Sequence, residues 1–201
     1  MIKMGEEPFL TCPVCRVGEL KINTEEMEIP HFGNVVISTL ICSSCGYRSI
    51  DVMPVENRPP SRYMIEIRSK EDLDLRVIRS STSTIRIPEL GITIQPGSAH
   101  EGYITNIEGV LSRVHGILLQ VERDLTNRSE EFVDIQDRMK RTSDLMKRIE
   151  RAMDGHLEED GCFSVILEDP QGNSAMISED GRVIEEELTE EEILELTRAM
   201  Y

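Results

Sequence analysis

Tryptophan is absent from this 201-residue sequence, and aromatic residues of all kinds make up only 4% of it. Proteins that stack single-stranded bases build their platforms from such rings, so the material for one is scarce. Positive charge is short as well: 22 Lys and Arg stand against 38 Asp and Glu, a net charge of −16. Holding a phosphate backbone requires clustered cations, and this balance argues against nucleic acid as the partner. No apolar run approaches the roughly 20 residues of a membrane-spanning helix, and no secretory leader is visible. Neither phosphate-cradling pattern, G-x-x-x-x-G-K-S/T or G-x-G-x-x-G, occurs. The four histidines, His31, His100, His115 and His156, form no H-x-x-x-H pair. A cytoplasmic protein that is not an enzyme and takes no small-molecule substrate is expected.

Cysteine is also sparse, with five in all, but four of them are concentrated in one pattern. Cys12-Pro-Val-Cys15 and Cys42-Ser-Ser-Cys45 are two C-x-x-C pairs with 26 residues between them. Two residues between cysteines let both sulfurs of a tight turn face one ion, and two such turns complete a tetrahedron. Gly46 follows the second pair, where a knuckle needs a residue tolerant of positive φ. Asn34 to Ile41 is rich in β-branched residues and leads directly into Cys42. A strand that delivers a knuckle is the geometry of a zinc ribbon. A site closed by four thiolates leaves no position for water, so one structural Zn²⁺ is expected on Cys12, Cys15, Cys42 and Cys45. Backbone N–H groups, with Arg16 or Arg48, are expected to offset its excess negative charge. His31 lies between the pairs and would compete only for a position already filled.

Along the chain, residues 1–56 read as the ribbon, residues 57–185 as a β-domain, and residues 186–201 as an acidic tail with a short helix. The division follows the linker signal Glu56 to Ser61, which holds a proline pair. Strands are expected at Tyr63 to Arg68, Leu73 to Ile78, Ser83 to Ile87 and Ile92 to Ile94, closing at Pro96-Gly97. A helical hairpin over 105–155 interrupts the sheet. Thr105 and Glu108 have capping-box spacing. The apolar run behind them continues through Val114, Ile117, Leu118, Val121 and Leu125. The second helix carries Phe132, Ile135, Met139, Met146, Ile149 and Met153 at the 3.5-residue period of a packed seam, with Asn127 and Glu130 as its cap and Gly155 suited to its end. Cys162, flanked by acids, reads as a small core residue rather than a nucleophile. From residue 156 onward, 14 acidic and two basic side chains concentrate the negative charge.

Six motifs in order carry a resemblance to the ZPR-type zinc-finger family over residues 10–178. They are Cys12 to Cys15, Ile29-Pro-His-Phe32, Cys42 to Arg48, Ile87-Pro-Glu-Leu90, Gly102 to Gly109, and Asp169-Pro-Gln-Gly-Asn-Ser174. The resemblance implies a ribbon followed by a jelly-roll-like double-stranded β-helix with an inserted helical hairpin. It implies a single-module, archaeal-like member, because eukaryotic relatives carry the unit twice. It further implies a chaperone or adaptor that assists folding of the translation elongation factor one-alpha GTPase. The metal-binding set of cupin enzymes on similar β-helices is missing here. The alternative reading is a zinc-ribbon module that binds nucleic acid in translation or transcription. For a protein client, Phe32 and Arg48 are the expected contacts. A small ribbon has little core in which to bury Phe32, whose alternative is to pack on the adjacent β-domain, and Arg48 puts a cation beside the second knuckle.

Overall fold

A computed structural model describes residues 10–96, 101–126, 133–156, 162–178 and 180–198. Strands β1 (Leu10–Thr11), β2 (Glu19–Ile29), β3 (Gly33–Cys42) and β4 (Arg48–Pro54) form an antiparallel sheet in that order. The β-domain follows with β5 (Ser61–Ile67), β6 (Arg76–Arg79), β7 (Thr84–Ile87), β8 (Ile92–Ile94) and β9 (Tyr103–Asn106). Helices α1 (Ile107–Thr126) and α2 (Val133–Met153) come next, then β10 (Phe163–Asp169), β11 (Ala175–Ile177), β12 (Ile184–Glu187) and α3 (Glu190–Arg198). These strands make a five-stranded sheet ordered β12-β5-β10-β7-β8 and a three-stranded sheet ordered β11-β6-β9. The result is a mostly β protein, a zinc-finger region followed by a jelly-roll domain with a helical insert, as expected.

Period-two alternation sets the register of the large sheet. Tyr63, Ile65 and Ile67 of β5 point inward opposite Leu167, Val165 and Phe163 of β10, and Leu167 also faces Ile85 of β7. Val77, Ile78, Ala175 and Met176 close the core from the smaller sheet. Ile107, Val110 and Leu111 of α1 and Ile149 and Ala152 of α2 cap its end. Each such Val, Leu, Ile, Phe or Met side chain withdrawn from water contributes about 1.5–3 kcal/mol. Phe32, Val35 and Val52 of the ribbon belong to the same apolar cluster.

The helical hairpin packs along part of the expected seam. Val114, Leu125 and Met146 are buried and Leu118 is partly so, whereas Ile117 is 58% exposed. The N-cap of α1 is Asn106 rather than Thr105: its Oδ1 accepts the Gly109 N–H at 2.8 Å. Strand β9 runs directly into the helix, leaving Thr105 paired with Val77. Gly155, at φ 87°, ends α2. Its N–H donates to the Ala152 carbonyl, and the His156 N–H reaches back to Arg151, the paired bonds of a Schellman turn.

Other expectations need revision. The first half of the Leu73 to Ile78 strand is a 3-10 turn, Lys70–Asp74. The buried Asp72 carboxylate accepts the Arg68 and Ser69 N–H groups at 2.8 and 3.0 Å and curls the chain there. Cys162 is exposed, because it precedes β10 and Phe163 takes the first inward position. Part of the acidic tail is sheet: Glu186 and Glu187 lie in β12 and pair with Arg62 and Ser61 of β5. Residues 1–8, Gly97, His100, Asn127, Glu130, Phe132 and Met200 lie outside the described residues.

Candidate metal centre

Two knuckles of one design bring the four sulfurs together. In the first, the Arg16 N–H donates to the Cys12 carbonyl at 3.0 Å and the Cys12 N–H to Gly18 at 2.9 Å. In the second, the Gly46 N–H donates to Cys42 at 3.2 Å and the Cys42 N–H to Tyr47 at 2.8 Å. Both turns need a left-handed residue at the fifth position, supplied by Arg16 at φ 60° and Gly46 at φ 73°. Glycine adopts that conformation without strain; arginine pays about 1 kcal/mol or more. Pairing of Leu10 with Leu20 and of Leu20 with Cys42 fixes one knuckle against the other.

The four Sγ atoms lie within 4.8 Å of one another. Cys12 to Cys45 and Cys15 to Cys42 are each separated by 3.7 Å. A tetrahedral zinc with bonds of about 2.3 Å requires edges of about 3.8 Å, so the cage fits one Zn²⁺. Cys12 and Cys42 are buried, while Cys15 and Cys45 lie nearer the surface. Gly18 sits hard against the cage: a Cβ there would come within 2.5 Å of the Cys42 sulfur.

Backbone dipoles prepare the sulfurs for a cation. N–H groups of Val17 and Gly18 lower the Cys15 thiol to about 6. Those of Cys45 and Ser44 lower Cys42. At Cys45 the Tyr47 N–H also pulls downward, but burial and the three neighbouring sulfurs outweigh it and push the thiol up to about 11. Four sulfurs this close resist carrying four charges, and a divalent ion at the centre removes that repulsion. Bound zinc would hold the two knuckles together as a structural ion, with every coordination position filled by sulfur.

His31 stands at the far end of the β2–β3 hairpin, at φ 67°, and is not among the cage residues. Arg48 opens β4 opposite Ile41 and is exposed beside the second knuckle. Phe32, expected to lack a core, is only 5% exposed. The Arg58 guanidinium lies 4.0 Å above its ring and donates to its carbonyl. The linker supplies the cover that a small ribbon alone would lack.

Two more contacts fasten the ribbon to the β-domain, and a buried node behind them explains the Asp169 motif. Asp51 of β4 accepts the Ser81 N–H and hydroxyl at 2.9 and 2.8 Å, and the Gly102 N–H donates to Ile50 at 2.7 Å. The fully buried Asp169 carboxylate accepts hydroxyls of Ser80, Thr82 and Ser174 and N–H groups of Gln171 and Asn173. A Cβ on Gly172 would meet the Arg58 carbonyl at 2.4 Å. Residue-by-residue reading of the sequence could mark that motif as a turn, but two of the carboxylate's five donors, Ser80 and Thr82, come from a turn 89 and 87 residues away.

A metal-closed pair of knuckles carried on a strand hairpin, docked on a jelly-roll with a helical insert, defines a zinc-ribbon protein whose metal is structural. The chain belongs to the ZPR1 family: the ZPR1 zinc-finger domain matches residues 7–59 and the ZPR1 jelly-roll domain residues 71–197. It is similar to a ZPR1-like protein of Methanocaldococcus jannaschii, 41% identical over 188 residues, covering 93% of this chain and 88% of that one. A ZPR1-like protein of Pyrococcus horikoshii is 40% identical over 201 residues, covering all of this chain and 83% of its own length. A Schizosaccharomyces pombe protein named zinc finger chaperone zpr1 is 35% identical over 102 residues, half of this chain and 22% of that protein.

Proposed function

We propose that this chain is a non-enzymatic chaperone whose client is the translation elongation factor one-alpha GTPase, in the cytoplasm. The observation that carries the reading is membership of a family in which the fission-yeast relative is named a zinc finger chaperone. The closed sulfur cage fits it, since such a centre shapes a surface and does no chemistry. The client itself comes from the family resemblance. Arg48, exposed beside the metal, is the direct charged contact on this reading. Phe32 acts from below, by holding Arg58 and the adjoining turn in place.

The test is to dilute denatured elongation factor into GTP with and without the zinc-loaded chain. Formation of a complex and recovery of GTP binding are then measured. Faster recovery through a transient complex is expected, and Arg48→Glu should weaken capture. No complex and no gain in recovery would overturn the reading. RNA binding that salt weakens steeply would instead favour the nucleic-acid alternative.

A further inference from the structure

Among the described residues, β2 has the longest open strand edge. It runs for 11 residues, pairs with β3 from Leu20 to Ile29, and meets β1 only at Glu19 and Leu20. Among the described residues nothing pairs with the outer side of residues 21–28, and all eight side chains are exposed. The opposite margin of the sheet is the shorter β4, seven residues long, and it meets the β-domain where the Gly102 N–H donates to Ile50. Terminal strands of the other sheets are no longer than four residues. A row of unpaired backbone donors and acceptors is a template for another strand.

Charge selects which strand. Residues 21–28 carry Lys21 against Glu25, Glu26 and Glu28. A second copy paired parallel and in register would set Glu25, Glu26 and Glu28 each against itself, and in any register two segments of net charge −2 would meet, a bias against self-pairing. A basic segment meets the opposite condition. Glu26 and Glu28 project on one face together with Ile22, because side chains two apart share a face. Ile22 is 52% exposed.

The geometry points to strand addition at this edge: β2 receives an extended segment of a protein partner with two basic residues spaced i, i+2 opposite Glu26 and Glu28, and an apolar residue toward Ile22. This deepens the chaperone reading and rests on it for the nature of the partner. Backbone pairing supplies sequence-tolerant affinity, and the carboxylates supply direction and register. Such a contact holds a segment that has not yet found its own sheet and releases it once it has.

The probe is a ten-residue peptide with Lys at positions 3 and 5, Val at position 9 and Thr elsewhere, which in antiparallel pairing face Glu28, Glu26 and Ile22; it is added to the full zinc-loaded chain, with amide hydrogen exchange read across β2. Protection of residues 21–28 is expected. A peptide N-methylated at alternate amides should give none. Glu26→Lys with Glu28→Lys should weaken binding about tenfold, from two lost cross-strand pairs, with the zinc content unchanged. No protection, or equal protection by the N-methylated peptide, overturns strand addition. Protection already complete without peptide, and lost on deleting residues 1–9, would give the edge to this chain's own N-terminal segment and also overturn it. Undiminished capture of the elongation factor by the double variant would sink the edge while leaving the chaperone reading intact. Peptide protection without any client capture would do the reverse.

Discussion

The ribbon and the β-domain solve the same problem by different means. In the β-domain, apolar side chains from two sheets and two helices meet in one core, and buried acids such as Asp169 and Asp72 are satisfied by several donors each. The ribbon has a single thin sheet with one face partly buried through Val35 and Val52, and most of β2 exposed. It therefore depends on a metal at one end and on docking to its neighbour at the other. Local stability should follow that division: all-or-none at the cage, distributed in the core.

The sharpest way to break the comparison is to remove the metal. Cys42→Ser, or a chelator, withdraws a binding free energy of about 10–16 kcal/mol that a structural zinc supplies to folding. Residues 10–54 should lose exchange protection while the β-domain keeps its own melting transition, and a metal assay on the intact chain should give one zinc. Loss of both regions together would show that the shared residues Phe32, Val35 and Val52 make them one cooperative unit.

Within the β-domain, Ile149→Ala should cost about 2–5 kcal/mol by leaving a cavity, and Met146→Asp a comparable several kcal/mol by placing an unpaired charge in the helical seam. Denaturant melting reads both, and zinc content should not change. An unaltered midpoint for Met146→Asp would mean that the seam opens more readily than its burial indicates.

Asp169→Ala should cost about 1–3 kcal/mol or more, because it leaves buried hydroxyls and N–H groups without their acceptor. Its effect should reach the ribbon through Ser80 to Thr82, adjacent to Asp51, so exchange at β4 is the informative readout. Arg16→Gly should act in the other direction, stabilising the ribbon by about 1 kcal/mol through relief of the left-handed conformation. A zinc-release midpoint moved to higher chelator concentration would show it.

The smallest effect concerns α3. The Thr189 N–H and hydroxyl, followed by Arg62, lower the Glu192 carboxyl to about 2. A depressed carboxyl stabilises the folded state above its unfolded value of about 4.3 and loses that contribution as pH falls toward 2. Docking of α3, followed by exchange at residues 190–198, should therefore weaken across that interval and not above it. Glu192→Gln should abolish this pH dependence.

The sequence by itself determined the metal centre, because C-x-x-C spacing fixes ligand geometry within a few bonds and needs no distant partner. It also determined the alternating strands of the β-domain, the helical insert and its Gly155 stop, since period and turn chemistry are local. Strand β2 was not legible: Lys21 to Glu28 has a single apolar residue on each face, Ile22 and Met27, and no alternation, so only pairing with β3 makes it a strand. Ser69 and Asp72 broke an alternating run for the same reason, with Arg182 reaching the Asp72 carboxylate at 2.6 Å from 110 residues away. For Phe32 the sequence left client contact and packing on the β-domain both open, and what it hid was the cover, Arg58, which comes from the linker rather than from the ribbon's own core. Tertiary structure decided these points because each depends on which remote groups desolvate or satisfy a side chain, and no local pattern encodes that.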